Sequence, residues 1–174
     1  MSAARWVTDV RCWLRERIVG LGLCPYAAGP VHGGRVRIAV EPGDLEARLT
    51  ALVLEAERLL AADPADCETT LLLVPFGAED FEDFLDETDL GGELLEQVVG
   101  EELQVVAFHP GFRFADSDPN DPANGVNRSP MPLWHLLRER SVERVLRADP
   151  DAVAAVPGRN RDLLRALALG TAEG

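Results

Sequence analysis

Lysine is missing from this chain: all 17 basic residues are arginine. A preference for arginine codons accounts for that as well as any function does, but the exclusions hold either way. There is no amine for a Schiff base to a carbonyl or to pyridoxal phosphate, and no Walker-type phosphate lysine. Cysteine is scarce too. Cys12, Cys24 and Cys67 form no CxxC pair, and an odd number leaves one over in any pairing, which suggests a reduced, cytoplasmic protein. Long apolar runs are absent. The stretch "TLLLVPF" falls far below the about 18 residues of a membrane span, and "MSAARWVTDVRCWLRERIVG" interleaves acids and arginines, unlike the apolar core of a signal peptide. Positive charge is outweighed, with a formal net charge of −13 and a pI near 4.6. Phosphate contacts need a basic surface, so general nucleic-acid and anionic-membrane binding are not expected.

What remains is the composition of an ordinary globular domain: 174 residues, 47% hydrophobic and 27% charged. A chain of this length buries roughly 70% of its unfolded surface and needs no covalent staple. A single domain over 1–174 is expected. Trp6, Val10, Trp13, Leu14, Arg17, Ile18 and Leu21 recur at helical spacing and predict a first amphipathic helix ending near Gly20–Gly22. "RVRIAVE" predicts a strand, and Leu45 to Leu60 a long helix ending before Pro64. "TTLLLVPF" and "LQVVAFHP" predict buried strands. Between them Phe81, Phe84 and Leu85 form a helical stripe, which Gly91–Gly92 interrupts and Leu94, Leu95, Val98 and Val99 resume. No arginine occurs from Leu59 to Phe112, while acids recur from Glu79 to Glu96, as on a solvated helix face. Residues 111–130 read as a polar loop of the length that usually lines a site or is disordered. Helices over Pro132 to Arg140 and Val142 to Arg147 follow, the second capped by Ser141, and a last one capped by Asn160. The alternation predicts an α/β fold with a small central sheet of about three to five strands packed by amphipathic helices.

The chemistry-bearing residues cluster late in the chain. His109 stands where a strand runs out into the long loop, a position that projects a side chain into a crevice or simply precedes a Pro-Gly turn. On the expected helix from Pro132, His135, Arg138 and Glu139 share one face, as a site or as an exposed ion-pair stripe. In "NRSP", Asn127 or Ser129 would cap that helix. Its free N–H groups and the fork of Arg128 would then hold a phosphate or carboxylate, unless Arg128 only ties the loop down. Arg113 would close over the anion from the loop. Cys24, in "GLGLCPY", is a nucleophile if its pKa is depressed, and otherwise a packed thiol. Cys24, His109 and His135 together would make a three-ligand metal site. No dinucleotide fingerprint is present, since "GLGLCP" does not follow a strand.

"GLCPY", "ETTLLLVPF", "FEDFLDETD", "LQVVAFHPGFRFA" and "NGVNRSPMPLWHLLRERSVERV" occur in an order that resembles the domain-of-unknown-function 1415 family, small bacterial and plant proteins, from Trp6 to about Leu164. Tyr26 stands where the family pattern has Phe, Val126 where it has Thr, Met131 where it has Tyr, and Trp134 where it has Leu. The departures spare Cys24, His109, Asn127, Arg128, Ser129, His135, Arg138 and Glu139. The resemblance brings no activity with it, but it implies that the cysteine and histidine segments belong to one site.

The sequence therefore predicts a small cytoplasmic enzyme that acts by acid/base hydrolysis or group transfer on an anionic small molecule. His109 and His135 would be the acid/base pair, Cys24 a nucleophile or wall, and Asn127, Arg128, Ser129, Arg138, Arg113 and Glu139 the binding groups. Two alternatives stand beside it: a non-catalytic domain binding a metabolite or protein, and a Cys/His metal-dependent hydrolase.

Overall fold

The sheet is organised by a strand that the sequence pattern assigns to a helix. In the computed structural model, which describes residues 2–172, the segment Leu133–Arg138 is extended. It lies at the centre of a four-stranded sheet. In chain order the strands are β1 (Val36–Val40), β2 (Thr69–Leu73), β3 (Leu103–Phe108) and β4 (Leu133–Arg138), and in space they run β1-β2-β4-β3. β1 and β2 are parallel, while β4 runs antiparallel to both neighbours, with Leu71 and Val106 each opposite His135. Leucine-rich "LWHLLR" has good helix formers, but β2 is buried along its whole length. Without β4, β2 would leave a row of unpaired backbone groups inside the protein, a cost that outweighs a weak helical preference. Pro132 removes an N–H just before the strand, while its carbonyl still accepts from Val74 N at 3.0 Å.

Helices cover both faces. On one lie α3 (Leu45–Ala61) and α4 (Phe81–Val99), capped by Asp44 and Asp80, whose carboxylates accept backbone N–H groups of the first turn. Leu52, Ala56 and Leu59 of α3 meet Phe84 and Leu95 of α4 over Leu72, Ala107, Trp134 and Leu136. Trp134 stacks on Phe84 with centroids 5.6 Å apart, and its indole N–H donates to Thr88 Oγ1 at 2.8 Å. On the other face, α1 (Ala3–Trp13), continued by a π-helical stretch Leu14–Val19, packs Trp6, Val10, Leu14 and Ile18 against Leu71, Leu73 and Leu133. The short α2 (Ala28–His32), α5 (Glu139–Ala148) and α6 (Pro150–Ala172) complete the set. The chain is thus an α/β domain, and among the described residues no helix is long and apolar enough to cross a membrane.

Four further local expectations are corrected. The helix from Pro132 does not exist, so neither Asn127 nor Ser129 is a helix cap. The next helix starts at Glu139, and Ser141 is buried within it rather than capping it. Asn160 lies inside α6, where its side-chain amide donates to Leu23 O at 2.6 Å. The glycine pair does not interrupt α4, because Gly91 is where α3 crosses closest: a Cβ there would lie 2.7 Å from Leu52 Cδ2. The acidic face is solvated as expected, with Glu82, Asp83, Asp86, Asp89, Glu93 and Glu96 all exposed. Glu87 is the exception, since it turns inward to the buried Arg48 at 2.8 Å and joins α4 to α3.

The two glycines should respond oppositely to a side chain. Gly91→Val forces the fully buried Leu52 aside and should cost about 2–3 kcal/mol in urea unfolding. Gly92→Ala meets Val105 at an ordinary 3.6 Å and should be neutral or gain up to about 1 kcal/mol from helix propensity. Equal effects would mean that the α3–α4 approach is not tight at Gly91.

Candidate functional site

Alternation along β4 decides which side chains meet. Leu133, His135 and Leu137 face α1, whereas Trp134, Leu136 and Arg138 face α3 and α4. The α1 face does not close. Between the sheet and a cover made by α5 and α6 lies a cavity of about 330 Å³. Its floor is Leu71, Val106, Phe108, His135 and Leu137. Trp13, Ile18, Leu23 and Cys24 form one wall, and Val142, Val145, Val153 and Val156 form the cover. Cavities of this size, mostly apolar with a few convergent polar groups, are where small ligands bind.

The polar groups in it are few. Thr69 Oγ1 donates to Leu136 O at 2.5 Å and stands 2.8 Å from His135 Nε2. Tyr26 OH, at the rim, donates to Glu68 Oε1 at 2.8 Å, and Glu68 is in turn paired with Arg35. Burial, and then the Glu68 carboxylate, push the Tyr26 hydroxyl well above its ordinary value, so it stays protonated. Burial also pushes the Cys24 thiol up, against the opposing pull of the Tyr26 and Ala27 backbone N–H groups, so at neutral pH Cys24 is a thiol and not a thiolate. The His135 imidazole is pushed down to about 4 by desolvation alone, and it is therefore uncharged at neutral pH. Asn127 lines the cavity as well, and its side-chain amide has no hydrogen bond among the described residues. No arginine is among the described residues of the lining.

Cys24, Asn127 and His135 are thus brought to one cavity, and the other expected site residues are not. His109 follows Phe108 and so emerges on the opposite face, 3% exposed. Its Nδ1 accepts from Gly111 N at 2.9 Å, its Nε2 lies 2.9 Å from Ala78 O, and its ring packs between Phe81 and Phe84. Both ring nitrogens are occupied, and the sheet separates it from His135. Arg128 Nε and Nη2 donate to Phe112 O at 3.0 Å and Pro119 O at 2.7 Å, tying down the long loop, and Trp13 Nε1 reaches the Arg128 carbonyl at 3.0 Å. Ser129 Oγ donates to Met131 O. Arg113 pairs with Glu82 on the surface. Arg138 reaches the carbonyls of Leu59 and Ala62 at the end of α3 and that of Cys67 just before β2, and Glu139 opens α5. Among the described residues no group of three His, Cys, Asp or Glu side chains is arranged to hold a metal ion.

Sequence reasoning missed Thr69, which orients His135, because nothing local relates residues 66 positions apart. It also missed the valine cover, although Val142, Val145 and Leu146 recur at helical spacing.

A family model described as "Protein of unknown function (DUF1415)" matches residues 5–173. No curated protein and no solved structure matches the chain.

Stability should record the desolvated, half-buried imidazole. An unfolded chain takes up this proton near its ordinary value of 6.5, the folded protein only near 4. Stability from this group is therefore intact above pH 6.5 and falls as pH drops from there toward 4. Thermal unfolding of the wild type should weaken over that window more steeply than that of His135→Leu. Parallel curves would mean that the imidazole is freely hydrated.

Proposed function

The chain belongs to the DUF1415 family, and for this member of it we propose that the cavity between the sheet and α5–α6 binds a small, predominantly apolar molecule. The observation that carries this reading is an apolar cavity of about 330 Å³ whose polar groups, His135, Asn127, Cys24, Thr69 and Tyr26, are all uncharged at neutral pH. Burying apolar ligand surface against valine, leucine and aromatic side chains gives roughly 25 cal/mol per Å², and a few polar groups fix orientation. This is the binding-domain alternative, with the ligand now apolar. Three unpaired cysteines fit a reduced compartment, and we take the cytoplasm as the place of action.

Acid/base hydrolysis or group transfer on an anionic molecule has less support. An anion entering this cavity would leave water without meeting a cation, a large penalty in an apolar setting. A thiol above its ordinary pKa is a poor nucleophile, and an imidazole near 4 is a weak base. A Cys24–His135 reaction would need the ligand itself to supply the activation.

The test is binding of the neutral fluorescent dye N-phenyl-1-naphthylamine. One equivalent should bind with enhanced emission. Val106→Trp, which fills the cavity floor, should abolish binding while circular dichroism confirms the fold. No binding to the wild type, or unchanged binding to a folded Val106→Trp, would contradict the reading.

A further inference from the structure

A threonine hydroxyl carries one proton, and Thr69 Oγ1 has two close partners. The Leu136 carbonyl, at 2.5 Å, can only accept, so that proton lies there. The contact with His135 Nε2 at 2.8 Å then requires the N–H to be on the ring. An uncharged imidazole has a single N–H, so Nδ1 presents a bare lone pair. Nδ1 has no partner among the described residues. It is also not among the orphan polar atoms sealed from solvent, which are Arg48 Nε, Thr70 Oγ1, Glu87 Oε2 and Arg138 Nε. It therefore opens onto the cavity that His135 lines. Asn127, whose side-chain amide is likewise uncommitted among the described residues, offers both a donor and an acceptor.

Building on the cavity reading above, we propose that the ligand's polar group is a hydrogen-bond donor held by His135 Nδ1: an alcohol, a phenol or an N–H heterocycle on an apolar body. A hydroxyl also has a lone pair that Asn127 can meet. An ether or ketone of the same shape sets lone pair against lone pair at Nδ1. A carboxylate adds a charge that no lining side chain answers. Thr69 is the positioning residue, because it fixes which ring nitrogen faces the ligand.

Two measurements on the full chain test this. In ¹⁵N-labelled protein at neutral pH, long-range ¹H–¹⁵N correlations of His135 should give a protonated Nε2 and a bare Nδ1, and Thr69→Val should mix the two tautomers. A protonated Nδ1 in the wild type overturns the proposal. In displacement of N-phenyl-1-naphthylamine, 2-naphthol should be effective at concentrations about tenfold or more below those of 2-methoxynaphthalene, as expected when a buried acceptor is left unpaired. 2-Naphthoate should be weaker than the naphthol, and His135→Phe should erase the naphthol's advantage. Equal displacement by naphthol and its methyl ether overturns the donor requirement alone and leaves the cavity reading standing. Dye binding that neither compound displaces overturns both.

Discussion

Everything in this fold hangs on the double pairing of β4. Its backbone completes β2 on one side and β3 on the other, and β2, buried along its whole length, cannot remain half-paired. A strand locked on both edges cannot slip, so the face of each side chain is fixed. Trp134 and Leu136 go into the core under α3 and α4 and supply much of its packing, while Arg138 on the same side caps the carbonyl end of α3. His135, one position over, goes into the cavity. One register sets both the core and the site.

That constraint also explains why the histidines part company. They look adjacent in function because both precede or follow prolines near a polar loop. A strand face is a two-way choice, and Phe108 takes the cavity side, so His109 must take the other. There it stiffens the start of the long loop through Gly111 and Ala78. Arg128 holds the same loop from its far end through carbonyls. The loop is thus a built structure, with Asn124 fully buried and bonded to Ser117 and the Phe114 N–H within it, and only its end at Val126 and Asn127 reaches the cavity.

The sequence was legible where structure is local. α1, α3, β1, β2 and β3 follow from periodicity and from Gly and Pro boundaries, and the α/β class follows from their alternation. It was illegible where pairing over long distance decides. "LWHLLR" satisfies a helical and a strand pattern equally, and only the exposed edges of β2 and β3 select the second. From that one misreading came the anion-binding helix start and the shared face of His135, Arg138 and Glu139. The family resemblance implies one site for the cysteine segment and both histidine segments; Cys24 and His135 line one cavity while His109 lies across the sheet, and Thr69, Val142 and Val153 carry no chemical signature that marks them in advance.

An uncharged His135 facing an apolar cavity should select a ligand by its hydrogen-bond donor. Crystals of the protein soaked with 4-iodophenol test it most directly, because iodine gives an anomalous signal and the hydroxyl an orientation. Iodine is expected among Val142, Val145 and Val156, with the phenol oxygen in hydrogen-bond contact with His135 Nδ1. Iodine bound only outside the cavity, or a phenol whose oxygen turns away from His135, would contradict it.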